Sequence, residues 1–177
     1  MALTIFILRL AVYILAFPVF LMNFLGLWSW ICKRLFAYLM VTFAMIYNRQ
    51  MASKKRELFG NLQEFVGPSG KLSLLEVGCG TGANFKFYPS GCRVTVLKPG
   101  GAFYFLEHVA AERSTWNSFW QQVLDPLWYL LFDGCNLTRE SWKTLERASF
   151  SKLKLQHIQA PLSWKLVRPH IYGYAVK

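Results

Sequence analysis

Acidic residues are missing from the front of this chain: none occurs before Glu57, whereas Arg9, Lys33, Arg34, Arg49, Lys54, Lys55 and Arg56 all fall in that stretch. They supply most of the formal net charge of +11, and the remainder is nearly balanced. These cations flank apolar runs and are not interleaved with base-stacking aromatics, so nucleic acid is not the expected partner and anionic lipid headgroups are. Cysteine is also scarce. Cys32, Cys79, Cys92 and Cys135 are too few and too scattered for a disulfide framework, and no pair has CxxC spacing. The three histidines, His108, His157 and His170, form no HxxxH or HxxE pattern, so no metal site is expected.

What the chain has in excess is apolar side chain, 54% of its 177 residues, concentrated at the front. The charge-free stretch Leu10 to Cys32 would be roughly 35 Å long as a helix, enough to cross a hydrocarbon core. Trp28, Trp30, Lys33 and Arg34 follow it in place of a small-x-small cleavage site, which favours a retained anchor over a cleaved signal. A second run, Leu35 to Asn48, is too short to span unaided and predicts an interfacial helix or the return arm of a hairpin. Pro18, Asn23 and Gly26 interrupt the first run, so a kinked or re-entrant anchor held in one leaflet is a further expectation, one that also suits a lipid-droplet monolayer. The basic residues after the apolar region favour a cytosolic carboxyl-terminal portion, which leaves the sequon at Asn136 idle.

An amphipathic helix is expected over Met51 to Phe65, followed by the turn Gly67 to Gly70 and a short buried strand, Leu72 to Val77. The turn Gly78-Cys79-Gly80-Thr81-Gly82 then lets the backbone pass close to a ligand without Cβ obstruction, and a helix should begin at Ala83. With Glu76 before it, this GxGxG turn resembles motif I of the class I methyltransferases, where it holds the amino-acid end of S-adenosyl-L-methionine. Lys98-Pro-Gly-Gly101 resembles the turn before strand five of that fold, with Ala102 to Leu106 as the strand, and Gly91 to Thr95 resembles the start of strand two. A helix over Arg139 to Arg147 and strands over Leu153 to Gln159 and Ile171 to Val176 complete the order.

Matches along the whole chain, at Leu3 to Leu10, Asn23 to Lys33, Met51 to Phe59, Asp133 to Trp142 and Pro169 to Lys177, narrow the resemblance. It is to the A-type branch of the membrane-anchored, methyltransferase-like thiol S-methyltransferases of endoplasmic reticulum and lipid droplets. That resemblance implies an α/β chain: an N-terminal hydrophobic membrane-anchor helix ahead of a Rossmann-like class I methyltransferase fold. The division it suggests is an anchor over 1–49, a basic amphipathic linker helix over 50–70 and a catalytic domain over 71–177. It implies S-adenosyl-L-methionine as cofactor, contacted by Glu76, Gly78, Cys79, Gly80, Thr81 and Gly82, and a small, apolar thiol as substrate. It implies location at the endoplasmic reticulum membrane and lipid droplet, with the catalytic portion facing the cytosol.

The chain departs from this family at one place. Thr95 runs directly into Val96-Leu97-Lys98, so the acid that should end strand two and bind the ribose is absent, as is a segment of roughly 60 to 70 residues holding two strand-helix units. The fold is therefore expected to be incomplete, with strand one pairing with strand five or leaving an open edge. Both flanks match the family without drift, which points to a shortened splice form or an altered gene model. The alternative to an active enzyme is a catalytically impaired membrane or lipid-droplet protein.

His108, at the carboxyl end of the strand beginning at Ala102, is the candidate catalytic base, with a packing role as the competing reading. Trp116, Phe119, Trp120, Val123, Leu127 and Leu131 recur at helical spacing between Thr115 and Phe132, with Pro126 expected to kink or end that helix. Such a stripe is read first as core, and otherwise as an acceptor pocket or a membrane-facing surface.

Overall fold

The computed structural model describes residues 2–66, 73–74, 85–87, 93–94, 102–132 and 134–176. The apolar front is three helices, and this corrects the expectation of one anchor helix over Leu10 to Cys32. Helix α1 spans Ala2–Leu15, α2 Phe17–Phe24 and α3 Leu27–Gln50. The axes of α1 and α2 meet at 67° across Ala16. Pro18 sits in the first turn of α2, where its missing N–H removes no bond of that helix, and the bend just before it agrees with the expected kink in the apolar front. Gly26, at φ 75°, follows α2 in the left-handed conformation that a glycine adopts at least cost, and α3 begins after it. Among the described residues no single helix is long and apolar enough to cross a membrane, although the bent α1–α2 pair is by length and composition.

The stretch expected as one helix over Met51 to Phe65 divides at Gly60 into α4, Ala52–Phe59, and a 3-10 turn, Leu62–Phe65. Both pieces pack inward: Met51, Leu58 and Leu62 are buried. Strands β1, Ser73–Leu74, and β2, Arg93–Val94, run parallel, with Ser73 opposite Arg93 and Leu74 opposite Val94. Between them in the chain lies a 3-10 turn, Phe85–Phe87. The expected pairing of strand one with strand five does not occur among the described residues. There, β1 pairs with β2, and β3, Ala102–His108, pairs with the last strand.

That last strand, β5 (Pro169–Val176), lies between β3 and β4 (Lys152–Gln159) and is antiparallel to both. In register, Phe105 and Leu155 flank Gly173, and His108 faces His170. The central strand is buried along nearly its whole length while β4 alternates, as expected of a sheet whose middle is covered and whose edge is half solvated. Helix α6, Ser141–Arg147, and the flanking β4 together cover β3 and β5 through Trp142, Leu145, Leu153 and Leu155 around Phe105, Val109 and Ile171.

Helix α5, Trp116–Leu131, continues through Pro126 instead of ending there. Proline has no N–H to donate to the carbonyl four residues earlier, which leaves the Gln122 carbonyl open. Arg9 of α1 fills the vacancy, its Nε donating to that oxygen at 2.6 Å. Trp28 of α3 does the same near the carboxyl end of the helix, its indole N–H reaching the Leu130 carbonyl at 2.9 Å. The lone charge of α1 thus repairs a helix more than a hundred residues away.

Candidate functional site

The site grows from the carboxyl end of β3. Beyond His108 the chain turns through Val109, Ala110 and Ala111, and every one of those amides has a partner. Val109 donates to the Pro169 carbonyl at 2.9 Å, Ala110 to the Arg139 carbonyl at 2.8 Å, and Ala111 to Gln121 Oε1 at 2.7 Å. Gln121 is 1% exposed, and its Nε2 donates back to the carbonyls of Val109 (3.3 Å) and Leu166 (2.7 Å). One side-chain amide from α5 therefore staples the turn after β3 to the loop before β5. Only this amide orientation satisfies all three partners.

Two clefts open on either side of that turn. One, about 620 Å³, is lined by charged and aromatic side chains including Arg113, Lys143, Trp142 and His157. The other, about 630 Å³, lies between α1 and α5, with Ile5 and Arg9 on one wall and Ser118, Phe119 and Gln122 on the other.

His108 is half-buried, and its Nε2 lies 3.1 Å from Cys135 Sγ. Burial, with a contribution from the Arg139 charge, holds its pKa below the usual histidine value, so the ring is neutral near pH 7. Cys135 is pushed up, chiefly by burial. The indole N–H of Trp128 lies near enough to favour its thiolate but lacks the geometry of a hydrogen bond. This is a neutral imidazole beside a neutral thiol, not an activated ion pair. The nitrogen that would receive a substrate proton is occupied by an internal partner.

His108 also packs edge-on against His170, their centroids 6.3 Å apart. His170 is 2% exposed, with Nδ1 3.1 Å from the Arg168 carbonyl and Nε2 3.1 Å from the Tyr47 hydroxyl. A carbonyl only accepts, so Nδ1 carries the proton and the tyrosine donates to Nε2. The contact ties α3 to β5. Burial lowers the His170 pKa to about 4, with the Arg168 carbonyl acting weakly against it. An unfolded histidine titrates near 6.5, so the unfolded chain binds the extra proton first. The His170 contribution is complete above about pH 6.5 and is lost as pH falls toward 4. We expect about 2 kcal/mol of stability to go between pH 7 and pH 5 from this group. Urea midpoints at the two pH values should show the loss in the wild type and much less of it in His170→Asn; equal losses would refute the assignment. Glu57 and Glu140, held low by Lys54 and Lys143, titrate beneath this window.

The motif residues Glu76, Gly78, Cys79, Gly80, Thr81 and Gly82 lie outside the described residues, as do Lys98 to Gly101. The aromatic stripe of α5 does not form a single core face: Val123 is buried, while Trp116, Trp120 and Leu131 are exposed. The inward face carries Ser118 and Gln121, two polar residues that hydropathy places outside. Asn136 and Thr138 form a local turn, the Asn136 side chain accepting from the Thr138 amide at 2.8 Å. Gln121, Arg9, Tyr47 and His170 were not marked by any motif. The one readable signal was a lone arginine in an apolar run together with a proline inside a helical pattern. Among the described residues no group of three or more His, Cys, Asp or Glu is placed to hold a metal ion.

The chain is similar along its entire length to a curated human protein, thiol S-methyltransferase TMT1A: 62% identity over 244 aligned residues, covering 100% of both. It is 38% identical to human thiol S-methyltransferase TMT1B, covering 97% of this chain and 98% of that one. To the rat protein of the same name it is 36% identical, with the same coverage. No family model matches the chain, and no solved structure does.

Proposed function

Because the chain belongs to the thiol S-methyltransferase family, we propose that it transfers a methyl group from S-adenosyl-L-methionine to the sulfur of a small, apolar thiol at a membrane surface. The observation that carries this reading is the full-length identity to the human A-type protein. The parallel β1–β2 pair supports it, since that crossover is the frame on which a glycine turn approaches a nucleoside ligand. Glu76, Gly78, Cys79, Gly80, Thr81 and Gly82 are the residues proposed to hold the cofactor. Bound there, it would supply an electrophilic methyl on a sulfonium: the acceptor sulfur forms the new bond, the old carbon–sulfur pair stays with the leaving sulfide, and the thiol proton goes to water.

The chain's own part is alignment, which supplies most of what such a displacement needs. Thiols titrate near ~8.5 and provide some thiolate unaided. His108 remains the candidate base, and His108→Gln in a methyl-transfer assay on an alkyl thiol separates its two roles. A fall in kcat with loss of a titration limb marks a base, whereas an unchanged pH profile marks packing.

The chain is further proposed to be a shortened member. The alignment to the human relative runs over 244 positions against this chain's 177 residues, which leaves 67 positions unfilled. The family resemblance puts that gap between Thr95 and Val96, where the ribose acid and two strand-helix units should stand. A hydrogen bond to a charged group is worth about 1.5 to 3 kcal/mol, so cofactor affinity should fall by roughly 10- to 150-fold relative to a full-length member. Calorimetric titration of S-adenosyl-L-methionine beside that member, then radiolabelled transfer to an alkyl thiol at saturating cofactor, tests both statements. Equal affinities would refute the ribose argument. No transfer at saturation would refute the enzyme reading in favour of a membrane protein without catalysis.

The site of action is proposed to be the cytosolic face of the endoplasmic reticulum membrane and the lipid droplet. One face of α1, Ile5, Leu8, Arg9 and Val12, is partly covered at the spacing of a helix packed on α5. The other, Leu3, Phe6, Ile7, Leu10 and Ile14, is exposed and apolar, and Leu15, Phe17 and Phe24 extend it. A helix apolar on both sides in a basic, acid-free segment suits a position between a folded domain and an anionic leaflet. Each large apolar side chain withdrawn from water is worth about 1.5 to 3 kcal/mol, so Phe6→Glu with Ile14→Glu should weaken vesicle binding by at least about 100-fold. Unchanged flotation with anionic vesicles would rule this surface out.

A further inference from the structure

We propose that an open cleft beside the carboxyl end of α3 binds the head of a glycerolipid phosphomonoester, with the lipid chain laid along the helix. This rests on the reading that the front of the chain meets a lipid surface, and it names one headgroup site there; methyl transfer plays no part in it. The cleft has a volume of about 540 Å³, in the range of small-molecule sites, and α3 supplies most of its wall. Val41, Ala44, Met45 and Asn48 fall at the i, i+3, i+4 and i+7 positions of one helix face, so about 10 Å of apolar surface leads up to a polar end. Val41 and Met45 are exposed.

Asn48, Arg49 and Lys86 meet at that end. Lys55 donates to Asn48 Oδ1. An ammonium has only N–H to give, so this contact fixes the amide's orientation and leaves its Nδ2 as a donor. Arg49 makes no hydrogen bond or ion pair among the described residues. Lys86 is brought to the cleft by the 3-10 turn Phe85–Phe87, which rests on α4 through Phe87, stacked on Phe59 with centroids 6.1 Å apart. Its Nζ lies 5.2 Å from the Phe87 centroid, a contact that steadies the ammonium without neutralising it. No carboxylate lines this cleft among the described residues, and that sets it apart. Glu140 stands among the cations of both clefts beside the β3 turn, and Glu57 and Glu64 line a further one beside β5.

Two uncompensated cations and an amide suit a phosphomonoester, which carries a charge of about −1.5 to −2 near pH 7 and three acceptor oxygens. The Arg49 guanidinium can fork two of them, and the ammonium and amide can reach the third. Inorganic phosphate would leave Val41 and Met45 in water, whereas a lipid chain covers them. The continuity of apolar wall and cationic rim therefore commits the site to the lipid.

The test titrates the full chain, held in an uncharged maltoside detergent, with dihexanoyl-phosphatidic acid and separately with inorganic phosphate, by calorimetry. The lipid should bind at least about 10-fold more tightly than phosphate, because only the lipid gains from the wall. Each cation beside an anionic head contributes about 5-fold, so Arg49→Ala with Lys86→Ala should raise the lipid Kd by at least about 10-fold. Arg147→Ala with Lys165→Ala takes the same charge from exposed positions outside the cleft and should leave it unchanged. Val41→Gln with Met45→Gln should weaken the lipid and leave phosphate unmoved. All four substituted cleft positions are exposed, and circular dichroism establishes that the variants fold. Absent lipid binding in the wild type, equal Kd values for lipid and phosphate, or an equal loss in the control pair would overturn the proposal. Phe6→Glu with Ile14→Glu, which reads the α1 surface through flotation, should leave this titration unchanged, so the headgroup site and the α1 contact fail separately.

Discussion

Gly173→Ala is expected to abolish the carboxyl-terminal sheet. Gly173 occupies the middle of β5 at φ 154°, and a Cβ built there falls 1.8 Å from the Lys154 carbonyl oxygen and 3.1 Å from Phe105 Cζ. The first contact is to backbone, so no rotamer relieves it. Strand β4 would have to move by more than an ångström against a ladder that runs from Lys152 to Gln159. Phe105, opposite in register, closes over the space that the missing side chain leaves. We expect a loss above about 4 kcal/mol, in the range reserved for strained backbone and overpacked cores. Gly26→Ala is the control. It also has positive φ but nothing within 4 Å of the new carbon, and should cost about 1 to 2 kcal/mol. Similar melting temperatures for the two variants would show that the close approach in β5 is not what limits this position.

The second large effect is expected at Gln121. Gln121→Leu keeps the side chain's bulk and removes its polar end, leaving the Ala111 amide and the Val109 and Leu166 carbonyls without their partner in a buried place. Each stranded group costs about 1 to 3 kcal/mol, so a total of about 3 to 5 kcal/mol is expected in denaturant unfolding. Gln121→Glu offers the acceptor for Ala111 but no donor for the two carbonyls, and should not rescue stability. Stability within about 1 kcal/mol of wild type would mean that water replaces the amide and that the turn is held otherwise.

The strand beginning at Ala102 was legible from the family's Pro-Gly-Gly turn before it, and those near Leu153 and Ile171 from their alternating pattern. Their arrangement was not. Nothing local says that the last strand enters between its two predecessors, since that choice is made by which edges are covered once all three exist. The apolar, basic character of the front was legible in composition, but its division at Ala16 and Gly26 into separate helices was not fixed by hydropathy. The same apolar side chains serve a span, a hairpin or a surface helix. Helix α5 runs on through Pro126, where a kink or an end was expected, and its inward Ser118 and Gln121 carried no signal in the sequence. In each case the deciding partner lies far away in sequence.

The sequence by itself determined the family, through a glycine turn and long matched flanks, and it determined the basic, acid-free character of the front. Both are properties of residue identity and spacing, which need no partner to be read. Tertiary structure alone decided that Arg9 completes α5, that Tyr47 donates to His170, and that Gln121 staples the turn after β3. It also decided that His108 faces Cys135. The physical reason is the same throughout. A buried polar group is stable only when some other group satisfies it, and which group does so is set by the packing of distant elements, not by the neighbours on either side in the chain.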